Sequence, residues 1–178
     1  IWQRILELRM QTGEPYIVFI DAANRALPSW LSDKGLKIHG SNLCTEIFLP
    51  TSEKRTAVCC LSSLNLEYFD HWNTNEQFIP DVMEFLDNVL QYFIDNAPDS
   101  VERARYSALR ERSIGIGALG FHAYLQSKRI PIESVLAKSI NYRMFSHIRE
   151  ECARGDEILC EKRGPCPDAK DAGIPRRF

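Results

Sequence analysis

Residues 41–50 read Ser-Asn-Leu-Cys-Thr-Glu-Ile-Phe-Leu-Pro, a polar and apolar alternation that ends at a proline. Alternation with a period of two is typical of an extended strand, in which side chains two residues apart share a face. The pattern predicts a strand over residues 42–49 with Asn42, Cys44 and Glu46 on one face. These groups can orient a hydroxyl, take its proton and perform sulfur chemistry beside it. The plainer alternative is an edge strand with an unreactive cysteine.

Two apolar runs flank this stretch. Residues 16–20 are a continuous run of β-branched and aromatic side chains, which is typical of a strand covered on both faces. Residues 56–61 predict another strand, and the short connection before it predicts a hairpin with the first stretch, or at least two close neighbours in one sheet. The hairpin would bring Cys59 or Cys60 near Cys44. Because neighbours along a strand face opposite sides, only one of the two can share its face.

Helical periodicity marks most of the remaining chain. Apolar residues recur three and four positions apart over residues 1–11, 76–96, 99–112, 119–127 and 133–162. Gly13 and Gly164 stand where the first and last of these helices end. Residues 113–117 predict a short buried strand between two helices. Strands that alternate with helices indicate an α/β fold.

Gly115, Gly117 and Gly120 have the G-x-G-x-x-G spacing of a dinucleotide-binding loop. The match follows a helix instead of opening a βαβ unit, and no acidic residue ends a second strand about twenty positions later. Tight packing between a strand and a helix is therefore favoured over a nucleotide cofactor.

Composition narrows the classes of function. The net charge is −2 and the pI about 6.1, without the basic excess of a nucleic-acid-binding protein. Arg103, Arg105, Arg110 and Arg112 alternate with acidic residues and predict a solvated helix face. The six cysteines form no C-x-x-C pair, which favours a reducing, cytoplasmic setting and predicts no metal site. The sequence contains no pattern that predicts a signal peptide, and no uninterrupted apolar run of membrane length.

Four motifs follow one another along nearly the whole chain. Residues 41–47 read S-N-L-C-T-E-I, residues 12–17 read T-G-E-P-Y-I with Asn24 downstream, residues 57–66 read A-V-C-C-L-S-S-L-N-L, and residues 112–117 read R-S-I-G-I-G. In this order they resemble the finger-loop motif S-N-L-C-x-E-I and the segments T-G-x-x-Y-I, A-L-C-x-L-S-x-x-N-L and R-x-x-G-I-G of one family. That family is the catalytic large subunit of class I ribonucleotide reductases.

The resemblance implies an α/β fold that is part of a ten-stranded α/β barrel, with a central finger loop and helices packed outside. Residues 1–178 would form a single partial domain with both ends truncated, inactive alone. The activity implied is an oxidoreductase that converts ribonucleoside diphosphates to deoxyribonucleotides for DNA replication by thiyl-radical chemistry. Expected partners are the remainder of the large subunit, a small subunit whose metal centre generates the radical, and a thioredoxin- or glutaredoxin-type reductant. No cofactor is expected on this segment, and the ATP and deoxynucleotide effectors would bind elsewhere.

The resemblance also assigns roles to the residues of the first stretch. Cys44 would become the thiyl radical that abstracts the ribose 3′-hydrogen, and Glu46 would take the proton from the 3′-hydroxyl. Asn42 would hydrogen-bond both the substrate and that carboxylate. Ser41 and Leu43 complete the substrate-binding residues that the resemblance predicts.

Reduction at the 2′-position is expected to use a second pair of thiols. By resemblance, Cys59 is one half of a redox-active disulfide whose other half lies outside this chain, and Cys60 falls on a variable position. The physical logic agrees, because no polar side chain displaces a hydroxyl from an unactivated sugar directly. A thiol can carry the required radical and be reset by other thiols.

Three alternative functions are also compatible with parts of the sequence. A cobalamin-dependent reductase would use the same N-x-C-x-E chemistry. A non-catalytic assembly module could keep the barrel fold, although the intact Cys44, Glu46 and Cys59 argue against it. A cysteine hydrolase would need a histidine placed against Cys44 by the fold, and the four histidines are scattered along the sequence.

Overall fold

The chain folds as two units, Ile1–Ala57 and Val58–Phe178. The computed structural model describes all residues 1–178. Its elements are α1 (Trp2–Thr12), α2 (Ile20–Ala26), α3 (Ser29–Ser32), β1 (Cys60–Asn65), α4 (Phe69–Trp72), α5 (Phe78–Asn96), α6 (Glu102–Glu111), β2 (Ile114–Leu119), α7 (Phe121–Ser127), α8 (Val135–Arg163) and α9 (Pro167–Asp171). No helix is both long enough and apolar enough to span a bilayer.

The first unit is built from three helices and long connections. α1 ends at Gly13, whose φ of 81° is left-handed and whose N–H donates to the Arg9 carbonyl, as the sequence predicts. The buried side chains of the first unit include Leu31 of α3 and Ile38 in the segment that follows α3. The isolated antiparallel bridge of Lys37 with Thr51 joins the two ends of the stretch that carries Cys44.

The predicted strand over residues 16–20 is wrong. Residues 16–19 adopt neither a helix nor a strand, and α2 begins at Ile20. A strand needs hydrogen bonds to a neighbour, and no segment of the chain pairs with this run. Its apolar side chains Ile17, Val18 and Phe19 instead line a cavity beside α2.

The second unit contains a parallel pair of strands. β1 and β2 run side by side in the register Cys60 to Ile114 through Asn65 to Leu119. Parallel neighbours require a crossover, which α4, α5 and α6 provide. The predicted hairpin is therefore wrong, since β1 begins later than the predicted strand over residues 56–61 and pairs with β2.

The core of the second unit lies on one side of this pair. α5 packs against α8, α6 and β1, with Leu86 and Leu90 fully buried along the apolar stripe that the sequence predicts. Met144 and Leu159 of α8 are buried in the larger of two apolar clusters, and Leu90 belongs to the smaller one. On β1, Leu64 is buried by this core whereas Leu61 is exposed, so one face of the strand pair is covered and the other is open.

The three glycines of the G-x-G-x-x-G pattern are places of close approach. A Cβ on Gly115 would lie 2.4 Å from Leu61 Cδ2, and one on Gly117 would lie 2.9 Å from Ser63 Oγ. Gly120 has a φ of 80°, and a Cβ there would lie 2.5 Å from Asn65 Oδ1. The glycines thus let β2 and the start of α7 pack closely on β1 and the residues just after it, which accounts for the pattern.

Gly120→Ala is expected to destabilise the protein by about 3 kcal/mol, since it adds a clash with the Asn65 side chain to the cost of a left-handed backbone. Gly13→Ala is the matched control, because Gly13 has the same backbone conformation with open space around it. We expect it to cost only about 1 kcal/mol. Urea denaturation measures both, and equal losses would contradict the packing role of Gly120.

Candidate active site

Residues 40–50, here called the cysteine loop, form a turn and an irregular segment, so the predicted strand over residues 42–49 is wrong. The Thr45 N–H donates to the Asn42 carbonyl at 3.1 Å, and Thr45 has a left-handed φ of 63°. The Asn42 side-chain oxygen accepts the N–H groups of Glu46 and Ile47 at 3.1 and 3.0 Å. Asparagine side chains compete in this way with strand pairing, which explains the difference.

The turn brings Asn42 and Glu46 together by direct contact instead of by strand alternation. Asn42 Nδ2 donates to Glu46 Oε1 at 2.6 Å. Nearby, Ser41 Oγ donates to the Ile47 carbonyl at 2.7 Å and closes the loop from the other side. The amide fixes one carboxylate oxygen and leaves the other to accept a proton from a bound hydroxyl.

Cys44 lies on this turn, between Asn42 and Glu46 in the sequence, and its side chain is exposed. Its carbonyl accepts a hydrogen bond from Thr45 Oγ1 at 2.6 Å, which ties the backbone of the turn. The neighbouring Leu43 is 90% exposed and packs on nothing in this unit. The loop therefore presents a thiol and a paired amide and carboxylate to a reactant.

Cys59 and Cys60 belong to the second unit and have different surroundings. Cys60 packs against the buried cluster of Leu90, Ile94 and Ala108, and burial raises the pKa of its thiol. Cys59 Sγ instead lies 3.4 Å from the position that a Cβ on Gly115 would take. Burial disfavours the thiolate needed for disulfide exchange, which argues against Cys60 as a redox cysteine.

The second unit also contains a buried charge cluster that none of the sequence motifs predicts. Asp87 on α5 is fully buried, and its carboxylate accepts hydrogen bonds from Arg112 Nη2 at 2.5 Å, Arg163 Nη1 at 2.5 Å and Arg177 Nη2 at 3.0 Å. Burial alone would raise the Asp87 pKa, but the hydrogen bonds and charges of these arginines outweigh it and lower that pKa. The cluster ties α5, α8, the end of α6 and the C-terminal residues together.

The predicted solvated face of arginines is wrong at two of its four positions. Arg112 is only 3% exposed and bonds to Asp87. Arg110 pairs with Asp168, which is fully buried, and with Asp171 of α9. A sequence signal for Asp87 existed, since it lies on the apolar stripe of α5 between Met83 and Leu90. A carboxylate on such a stripe requires a buried partner.

No group of three or more His, Cys, Asp or Glu side chains is arranged to hold a metal ion. The four histidines lie apart in sequence. His39 lies in the same unit as Cys44, and its Nδ1 is 3.2 Å from Thr51 Oγ1. A cysteine hydrolase would require a hydrogen bond between its thiol and a histidine, and no such bond joins Cys44 to a histidine.

Comparison with known proteins identifies the family of this chain. Residues 1–174 match the model of the ribonucleotide reductase barrel domain. The chain therefore belongs to the ribonucleotide reductase barrel-domain family, and the prediction of an α/β fold that forms part of a barrel is confirmed.

Two relatives from viruses align with nearly the whole chain. It is 57% identical over 178 residues to the ribonucleoside-diphosphate reductase large subunit of Invertebrate iridescent virus 3, covering 100% of this chain and 28% of the relative. It is 49% identical to a putative large subunit of Frog virus 3, over 98% of this chain and 31% of that protein.

Among solved structures, the alpha subunit of the Actinobacillus ureae class Id ribonucleotide reductase superposes with a TM-score of 0.91 at 38% identity. The match covers 99% of this chain and 34% of that subunit. The chain thus spans about a third or less of the proteins that it resembles.

Proposed function

We propose that this chain supplies the radical-bearing and proton-transferring residues of a ribonucleoside-diphosphate reductase large subunit. The observation that carries the proposal is the geometry of the cysteine loop. Asn42 and Glu46, which are joined by a hydrogen bond of 2.6 Å, lie two residues before and two residues after the exposed Cys44. The names of the relatives supply the reaction and the substrate, a ribonucleoside diphosphate.

In the proposed reaction, a Cys44 thiyl radical removes the 3′-hydrogen of the ribose. Glu46 takes the proton of the 3′-hydroxyl, which makes departure of the neighbouring 2′-hydroxyl as water easier. Asn42 holds the carboxylate through one oxygen, so the other stays free and correctly oriented. Ser41 and Leu43 complete the substrate-facing part of the loop.

Two further electrons and two protons are needed to replace the 2′-hydroxyl by hydrogen. Cys59 and a second cysteine outside this chain supply them and become a disulfide, while the hydrogen taken by Cys44 returns to C3′. The sum is one ribose C–OH and two thiols converted to C–H, water and one disulfide, which balances. A thioredoxin- or glutaredoxin-type protein then reduces that disulfide.

The chemistry implies partners beyond the substrate. No residue of the cysteine loop generates a radical unaided, so the radical is delivered from a metal-containing small subunit. The rest of a large subunit completes the barrel and carries the sites for nucleotide effectors. The chain itself needs no bound cofactor in this scheme.

A chimeric large subunit tests the proposal. In it, the matching segment of the Invertebrate iridescent virus 3 protein is replaced by residues 1–178 of this chain, and deoxyribonucleotide formation is followed with the viral small subunit and a dithiol reductant. Activity of the chimera supports the proposed function. A chimera that folds and binds its small subunit but forms no product would contradict it.

The two adjacent cysteines give the matched pair of variants. In the chimera, Cys59→Ser is expected to lower turnover by at least about 100-fold with a dithiol reductant, because the disulfide cannot form. Cys60→Ser is expected to retain most of the turnover, because that side chain packs into the helices. Loss of activity in Cys60→Ser alone would reverse the assignment of the redox cysteine.

A further inference from the structure

We propose that Asn24 is a positioning residue that holds the base of the cysteine loop, an inference that rests on the proposed function of Cys44. Asn24 lies on α2 and is half-buried. Its Nδ2 donates to the Ile38 carbonyl at 2.8 Å, and its Oδ1 accepts the Ile38 N–H at 2.9 Å. One side-chain amide thereby satisfies both backbone groups of a residue fourteen positions away, as a neighbouring strand would.

The amide is itself anchored to the helix. Asn24 Nδ2 also donates to the Ile20 carbonyl, at 3.0 Å, in the first turn of α2. Its orientation is therefore set by α2, and the position of Ile38 follows from it. Ile38 is only 3% exposed and precedes the first residue of the cysteine loop by two positions.

The opposite end of the loop is tied to the same base. The Thr51 N–H donates to the Lys37 carbonyl at 3.1 Å, and His39 Nδ1 lies 3.2 Å from Thr51 Oγ1. Residues 37–39 thus connect α2, through Asn24, with the residue that follows the loop. The Asn24 amide therefore links both ends of the cysteine loop to α2 through hydrogen bonds.

Apolar packing adds to these hydrogen bonds at the ends of the loop, where Ile38 and Pro50 are buried. A cavity of about 420 Å³ lies beside α2, lined by Ala22, Ala26, Ile38, Thr45 and Phe48 among others. At Thr45 and Phe48, in the middle of the loop, the cavity leaves space beside the helix that side chains do not fill. The hydrogen bonds at the base therefore set where Cys44 and Glu46 stand, and a shift of about 1 Å at a reacting group is enough to cost about 100-fold in rate.

Asn24→Asp is the sharpest test, because the carboxylate has the same shape but cannot donate to the Ile38 carbonyl. In the chimera, we expect kcat to fall at least about 10-fold while KM changes much less. Protonation restores a donor, so the ratio of variant to native kcat should rise as pH falls. Asn88→Asp, an exposed position on α5, is the matched control and should leave kcat unchanged.

A readout independent of turnover separates this inference from the proposed function. The Glu46 and Ile47 amides, which are bonded to Asn42, should exchange with deuterium at least about 10-fold faster in Asn24→Asp than in the native chimera. Faster exchange in an inactive chimera would support the positioning role while the function failed. Unchanged exchange, or a kcat that stays native, would overturn the role of Asn24.

Discussion

Cys44→Ser is expected to abolish deoxyribonucleotide formation by the chimeric large subunit, with a loss of at least about 1,000-fold. An alcohol O–H bond is much stronger than a thiol S–H bond, so serine cannot carry the radical that removes the 3′-hydrogen. The side chain is exposed and the change nearly isosteric, so stability should change by less than about 0.5 kcal/mol. Product formation, measured beside thermal unfolding, separates the two effects.

Cys160→Ser serves as the control for the loss of a thiol as such. Cys160 lies on α8, half-buried and outside the cysteine loop, and its replacement should leave turnover within about twofold of native. A Cys44→Ser chimera that kept more than a tenth of native turnover would remove Cys44 from the radical role. The chain would then be better described as a barrel module without catalytic chemistry in this loop.

Asp87→Asn is expected to destabilise the second unit by about 3–5 kcal/mol. The substitution leaves Arg112, Arg163 and Arg177 facing a neutral amide in a site where the carboxylate is fully buried. Uncompensated buried charge is costly, because water no longer solvates it. Denaturation of the chimera, with hydrogen exchange followed in α5 and α8, measures the loss.

The pH dependence of this loss has a definite sign. The pKa of Asp87 is lowered by folding, so its contribution is fully present above the ordinary aspartate pKa of about 3.9 and is lost as pH falls through the lower folded value. The stability difference between native and Asp87→Asn should therefore be constant near neutral pH and shrink in acid. A difference that grew in acid would contradict the lowered pKa.

The exposed Asp95 near the end of α5 gives the matched control. Asp95→Asn makes the same chemical change on the same helix, at a side chain whose hydrogen-bond partner is Gln91. Because Asp95 is exposed, the substitution should lower the free energy of unfolding by less than about 0.5 kcal/mol. If both variants were equally stable, the buried cluster would contribute nothing to the fold.

Much of the helical framework is predictable from the sequence, because each helix has its own periodicity and end signals. The stripe on α5 and the left-handed cap at Gly13 need no knowledge of the rest of the molecule. Strand pairing is different, since it depends on which distant segment supplies hydrogen bonds. The run over residues 16–20 has strand composition but no partner in this chain, and β1 pairs with β2 across three helices.

The sequence predicts the candidate site for a partly wrong reason. Alternation placed Asn42, Cys44 and Glu46 on one face of a strand, whereas the structure has a turn organised by the Asn42 side chain. The residue types were informative because an amide next to a carboxylate forms the same hydrogen bond in either backbone. Asn24 belongs to one of the sequence motifs, but its contacts are not predictable from the sequence, since its partner Ile38 is fourteen residues away and contributes only backbone groups.

The central claim, that a Cys44 thiyl radical removes the 3′-hydrogen, is tested most directly by isotopic competition. The chimera is given a mixture of ribonucleoside diphosphates carrying protium or deuterium at C3′, and the isotopic composition of the remaining substrate is followed during turnover. We predict that the remaining substrate becomes enriched in deuterium, because its C–D bond is broken more slowly, and that Cys44→Ser consumes neither form. Consumption of both forms at the same rate, or continued consumption by Cys44→Ser, would contradict the account.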